Sequence, residues 1–274
     1  MDTRTVTDRI QSVEVGTLLA IGLLDMNAET MTTRTLLGML TPSSNTTLEP
    51  VTAAMLSELP EVSAHFGRFR VTEIALSAGA LAQFDNQEIL GAAELLSHAR
   101  CQVIGWNGTS SGWLGFESDR QLCAAIERTT GALACTSVLA LNEILQTTGV
   151  KRLGLVTPYR EDVQTAIMRN YAREGIVCSA ERHLGLQDNF SFSQVTAEEI
   201  RSMVREVMSG PAEQRPEAIA IFCTNLRGAP LVPALEAEFG VPVYDTIATV
   251  VWKALRLAGI DTRRVTQWGS LFGR

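Results

Sequence analysis

The chain has 274 residues, 46% hydrophobic and 19% charged, with 30 acidic against 23 basic side chains and a net charge of -7. At that length a fold buries about 75% of the surface its unfolded chain exposes and needs no metal or disulfide staple. An acidic balance with no basic run, and no basic stripe interleaved with aromatics, argues against a nucleic-acid partner and points to a small organic substrate.

In chain order, residues 1–33 come first and look unlike the rest. Their apolar stretch runs only from Leu18 to Leu24, between Glu14 and Asp25. A membrane span takes about twenty apolar residues, so no membrane partner is expected. A signal peptide is disfavoured because Asp2 and Asp8 offset Arg4 and Arg9 and no small-residue cleavage site follows. The segment reads as an N-terminal extension, with Met31 as an alternative start. The five cysteines, Cys101, Cys123, Cys135, Cys178 and Cys223, are odd in number, widely spaced and without C-x-x-C. That pattern fits reduced thiols in the cytoplasm. The histidines and carboxylates form no cluster that would hold a metal, and no cofactor is implied.

From Arg34 onward, short apolar runs alternate with amphipathic stretches. Strands are expected at Leu36 to Leu40, Arg70 to Ala75, Gln102 to Trp106, Leu133 to Cys135, Arg152 to Val156, Ile176 to Ser179, Ala218 to Phe222 and Val241 to Tyr244. Such alternation predicts an α/β fold with parallel strands and helices on both faces. The pattern repeats: Leu37-Gly38-Met39-Leu40-Thr41-Pro42 is echoed by Leu153-Gly154-Leu155-Val156-Thr157-Pro158. The loop Gly108-Thr109-Ser110 is likewise echoed by Cys223-Thr224-Asn225. Helices late in each half end at Gly149 and Gly259, positions suited to a left-handed helix cap.

The repeat predicts two similar, flavodoxin-like lobes related by an approximate two-fold axis. Residues 34–144 plus 245–274 would form the first lobe and residues 145–244 the second. The last helix, from about Thr246 to Ala258, would return to the first. Ligands of open parallel sheets bind beyond the carboxyl ends of the strands, so the repeated loops should face each other across a substrate cleft.

Cys223 is the sharpest residue in those loops. Ahead of a helix, a thiol there would have its pKa lowered from about 8.5 toward neutrality by the helix dipole and free backbone N–H groups. A buried core cysteine is the competing reading. The run Pro42-Ser43-Ser44-Asn45 offers hydroxyl and amide donors to a carboxylate, and equally could cap the next helix. Gly108, Thr109 and Ser110 offer similar donors without the lysine of a phosphate loop. Tyr159, at the place equivalent to Ser43, could donate its phenol to a substrate oxygen or simply pack. Asn189 could touch substrate or shape a turn. Trp106, Trp113, Leu114 and Phe116 suggest an apolar pocket, or ordinary packing.

These motifs resemble the aspartate/glutamate racemase superfamily, and within it the branch of maleate cis-trans isomerases and arylmalonate decarboxylases. The likeness covers nearly everything from Arg34 to Arg274. Pro42 to Thr47 is similar to the first substrate loop of the isomerases, Thr157-Pro158-Tyr159 to the loop carrying their substrate-binding tyrosine, and Cys223-Thr224-Asn225 to their second cysteine loop. Gly108-Thr109-Ser110 and the ending Gly269-Ser270-Leu271-Phe272 look like the decarboxylases. The isomerases and most racemases of the superfamily carry two cysteines, and here the first position is Gly108.

A racemase needs a proton donor on each face of a carbanion, and such an isomerase needs the first thiol to add to a double bond. The resemblance with one thiol therefore implies a cofactor-independent decarboxylase of a substituted malonate-type diacid, its enediolate protonated by Cys223. Ser44, Thr109, Ser110 and Tyr159 would stabilise that enediolate, and Thr224 and Asn225 would complete the substrate site. A maleate isomerase-like enzyme is the alternative, and a small-acid binding protein is the alternative of another class. The expected partner is a small dicarboxylic acid, with a homo-oligomer left open.

Overall fold

The computed structural model describes residues 34–84 and 86–274. The expectations for residues 1–33 fall outside the described residues. The first sheet contains β1 (Thr35–Pro42), β2 (Val62–Phe69), β3 (Val103–Trp106) and β4 (Leu133–Thr136), in the order β2-β1-β3-β4. The second contains β5 (Arg152–Thr157), β6 (Val177–His183), β7 (Ala218–Ile221) and β8 (Val243–Asp245), in the order β6-β5-β7-β8. All pairings are parallel and the two orders match strand for strand, which is the repeat seen in the sequence.

Position in the sheet explains the composition of each strand. β3 and β7 lie between neighbours and are buried at every residue, so they read as unbroken apolar runs, Val-Ile-Gly-Trp and Ala-Ile-Ala-Ile. The edge strands β2 and β6 are only partly covered and carry polar residues. One expectation is corrected here. Arg70 to Ala75 is not a strand of the sheet; the edge strand is Val62–Phe69, and Glu73 forms only an isolated antiparallel bridge with Asp188. Val71, Ile74 and Ala75 are apolar because they are buried beyond the strand ends.

The helices among the described residues are α1 (Leu48–Leu56), α2 (Ala78–Ala82), α3 (Asn86–His98), α4 (Ser111–Leu114), α5 (Glu117–Thr130) and α6 (Ser137–Thr148) in the first half. In the second they are α7 (Glu161–Arg173), α8 (Asn189–Phe192), α9 (Ala197–Met208), α10 (Val232–Phe239) and α11 (Thr246–Leu257). α6 ends at Gly149, which adopts φ 71°, and Gly259 beyond α11 adopts φ 74°. α11 packs back on α6, β3 and β4, and Thr249 Oγ1 donates to the Ser137 carbonyl at 2.8 Å. Gly105 permits this approach, because a Cβ there would lie 2.9 Å from Val250 Cγ2.

Candidate active site

The loops after β1, β3, β5 and β7 converge on a small cavity of about 20 Å³. Pro42 reaches it from the first loop and Gly108, Thr109 and Ser110 from the third. Tyr159, Cys223, Thr224 and Asn189 complete the side provided by the second half of the chain. Trp106 and Trp113 form aromatic walls, whereas Leu114 is exposed and Phe116 packs on Tyr171 with ring centroids 5.1 Å apart. A volume of that size holds roughly one water, so any larger ligand must part the side chains that line it.

The remaining predicted residues lie around the cavity and join the two halves. Asn45 Nδ2 donates to the Thr224 carbonyl at 2.9 Å, while its Oδ1 accepts from the amides of Thr47 and Leu48 and so caps α1. Asn225 Oδ1 accepts from the Thr46 amide at 3.1 Å, and its Nδ2 donates to the Asn189 carbonyl at 2.6 Å. Ser43 and Ser44 both donate to the Val71 carbonyl, and Ser44 accepts from Asn189 Nδ2 at 2.9 Å. These side chains fasten the loops to one another, with their hydrogen-bonding groups already engaged.

Tyr159 and Thr109 are different. Their hydroxyls are 2.6 Å apart and both residues are buried. One of the two O–H hydrogens serves that bond, and the other can turn to the Cys223 sulfur or to an oxygen in the cavity. The backbone amides of Thr109 and Ser110 make no hydrogen bond among the described residues. A carboxylate in the cavity would thus meet hydroxyl and amide donors with little competing water.

Cys223 stands in the loop after β7 and is 3% exposed. The expectation of a helix immediately after it is corrected. A turn and a 3-10 turn at Ala229–Leu231 intervene before α10 begins at Val232, so no helix dipole reaches the sulfur. Burial therefore dominates and pushes the thiol up to about 11 rather than down. Hydrogen bonds from the Tyr159 phenol and the Asn225 and Leu226 amides pull the other way without overcoming it. The Asn225 amide donates to Sγ at 3.4 Å. Near neutral pH the thiol keeps its proton. Tyr159 is raised further above its ordinary range, first by burial and then by the nearby sulfur.

All five cysteines are free. Cys101 and Cys135 are buried in the core, and Cys123 and Cys178 are partly covered. Among the residues lining the cavity, Cys223 is the one thiol. Sequence reasoning missed Val71, Ile74 and Phe84, which reach the cavity from the long connection between β2 and α3. Their apolar character was the available signal; for Val71 and Ile74 it was absorbed by the mistaken strand, and Phe84 lies outside it. Among the described residues no group of histidine, cysteine or carboxylate side chains is arranged to hold a metal, and no helix is long and apolar enough to cross a membrane.

Strand-end loops that gather one buried thiol and several hydroxyls place the chain among two-lobed α/β proteins with a cysteine-bearing cleft. The family described as arylmalonate decarboxylase matches residues 37–272, and the chain belongs to it. Arylmalonate decarboxylase of Bordetella bronchiseptica is 26% identical over 238 residues, covering 86% of this chain and 95% of that protein. Maleate isomerase of Nocardia farcinica is 28% identical over 229 residues, covering 80% and 88%. The structure of the Nocardia farcinica maleate cis-trans isomerase with a covalently bound succinylcysteine intermediate superposes with a TM-score of 0.78 at 26% identity, over 86% of this chain and 97% of that one. The chain is an enzyme of this family, and its similarity to decarboxylase and isomerase is nearly equal.

Proposed function

We propose that the chain is a cofactor-independent decarboxylase of a 2-substituted malonate or similar diacid. The observation that carries this reading is the buried Cys223, pushed up to about 11 by burial, as the one thiol on a cavity that Gly108 also lines. Cleavage of the bond between the α-carbon and one carboxylate releases CO2 and leaves the electron pair on the α-carbon, delocalised as an enediolate. The Tyr159 and Thr109 hydroxyls and the amides of Thr109 and Ser110 would stabilise its two oxygens. Losing one such donor costs about 2.7 to 4 kcal/mol of transition-state stabilisation. The Cys223 proton then passes to carbon, and the resulting thiolate recovers a proton from water. Trp106, Trp113, Val71 and Ile74 supply apolar walls, against which a departing carboxylate is poorly solvated and neutral CO2 is not penalised.

Isomerisation is the second reading, favoured by the 28% identity with the Nocardia farcinica maleate isomerase. It would need a first thiol to add to the double bond, and Gly108 stands at that position. The deciding experiment incubates the protein with substituted malonates and with maleate, following CO2 release and fumarate formation. CO2 from a malonate is the expected result; maleate turnover without decarboxylation would sink the proposal.

A further inference from the structure

Gly108 and Cys223 hold equivalent places, each two residues beyond the end of the third strand in its own sheet, β3 ending at Trp106 and β7 at Ile221. Both line the same cavity. A side chain at position 108 would be the counterpart of the Cys223 thiol, but its space is already taken. A Cβ built on Gly108 would fall within 2.5 Å of Trp106 Cη2 and nearer still to Cζ2 and Cε2. The indole is 1% exposed and packs on Phe69 with ring centroids 5.1 Å apart, so it has little room to swing aside. Its Nε1 is buried and has no hydrogen-bond partner among the described residues. A buried donor is costly when unpaired, and an oxygen of a bound acid would relieve that cost.

Resting on the decarboxylase reading, we propose that Trp106 determines stereochemical specificity: its indole occupies the position of a second acid and seals the α-carbon on the face opposite Cys223. Protonation then comes from one side only. In this chain, a cysteine at position 108 cannot by itself create a two-thiol site, because the indole must first be removed.

Two measurements test the assignment. The first is a thermal-stability cycle of wild type, Gly108→Ala, Trp106→Ala and the double variant. Overpacking against the indole should lower the Tm of Gly108→Ala by roughly 4 °C or more. In the Trp106→Ala background the same methyl should cost almost nothing. Trp106→Leu replaces Trp106→Ala if the larger void prevents folding. The second measurement follows deuterium exchange at the α-carbon of a 2-arylpropionate in heavy water. Trp106→Ala/Gly108→Cys should exchange roughly tenfold or more faster than Gly108→Cys alone. A Gly108→Ala protein that melts with wild type, or a Gly108→Cys protein that exchanges as fast as the double variant, would overturn the proposal. If the stability cycle couples as expected while neither wild type nor any variant decarboxylates a 2-substituted malonate, the placement of Trp106 stands and the decarboxylase reading falls.

Discussion

The Tyr159 phenol and the Thr109 hydroxyl meet at 2.6 Å, joining the loop after β5 in one sheet to the loop after β3 in the other. Tyr159→Phe removes one of the two hydroxyls while keeping the aromatic contacts with Trp113 and Phe192. Decarboxylation by this variant should fall by roughly a hundredfold or more, mainly in kcat, with the fold retained. Steady-state kinetics beside a melting curve would check it. An unchanged kcat would remove Tyr159 from the oxyanion site.

Cys223 should titrate near 11, because burial favours its neutral form. The folded protein holds this proton more tightly than the unfolded chain, where the thiol has its ordinary value of 9.0. The contribution to stability is therefore intact below pH 9.0 and lost as pH rises through about 11. Wild type should lose stability relative to Cys223→Ala across that window. The difference in ultraviolet thiolate absorbance between the two proteins should rise over the same range. A midpoint at or below neutrality would argue for a thiolate nucleophile instead.

Asp245 caps α11 by accepting from the Ile247 amide at 2.8 Å, yet it is fully buried and its carboxyl is pushed up to about 7, chiefly by that burial. Its ordinary value is 3.8, so its contribution to stability is fully present below that pH and is lost as pH rises through about 7. Asp245→Asn keeps a cap oxygen and removes the titration. At pH 8 the variant should be more stable than wild type by roughly 1 to 3 kcal/mol, the advantage fading on acidification toward pH 4. Urea unfolding at several pH values would show it, and parallel pH curves for the two proteins would refute it.

Asn45 combines two jobs in one side chain, capping α1 and bonding to Thr224 across the cleft. Asn45→Ala should cost about 2 kcal/mol or more, the sum of a lost cap and a buried unpaired carbonyl. Asn45→Ser can still cap but cannot reach Thr224, so it should recover only part of that loss. Denaturant midpoints of the three proteins separate the contributions, and equal midpoints for Asn45→Ser and wild type would show that the cross-cleft bond contributes nothing.

Central strands were the most legible part of the molecule. β1 and β5 are covered on both faces by their neighbours, which forces the near-identical apolar runs around Gly38 and Gly154 and made the repeat visible. The edge strand β2 was missed because Ser63, His65 and Arg68 dilute its apolar signal, as half-covered positions allow. The cavity loops followed from the repeat, so Thr109, Tyr159 and Cys223 could be named in advance. What the residues could not disclose was tertiary. The distance from Cys223 to the next helix reversed the expected direction of its pKa, and the indole of Trp106 fills space that belongs, by symmetry, to a different residue.

The return of α11 onto β3 and β4 has a consequence for the order in which the protein can fold during synthesis. The first sheet leaves the ribosome well before the helix that covers part of it, with the whole second sheet translated in between. Until Thr246–Leu257 emerges, Gly105 and its neighbours keep an apolar surface open to water. Nascent chains halted between β8 and the end of α11 should therefore be the ones most dependent on chaperones.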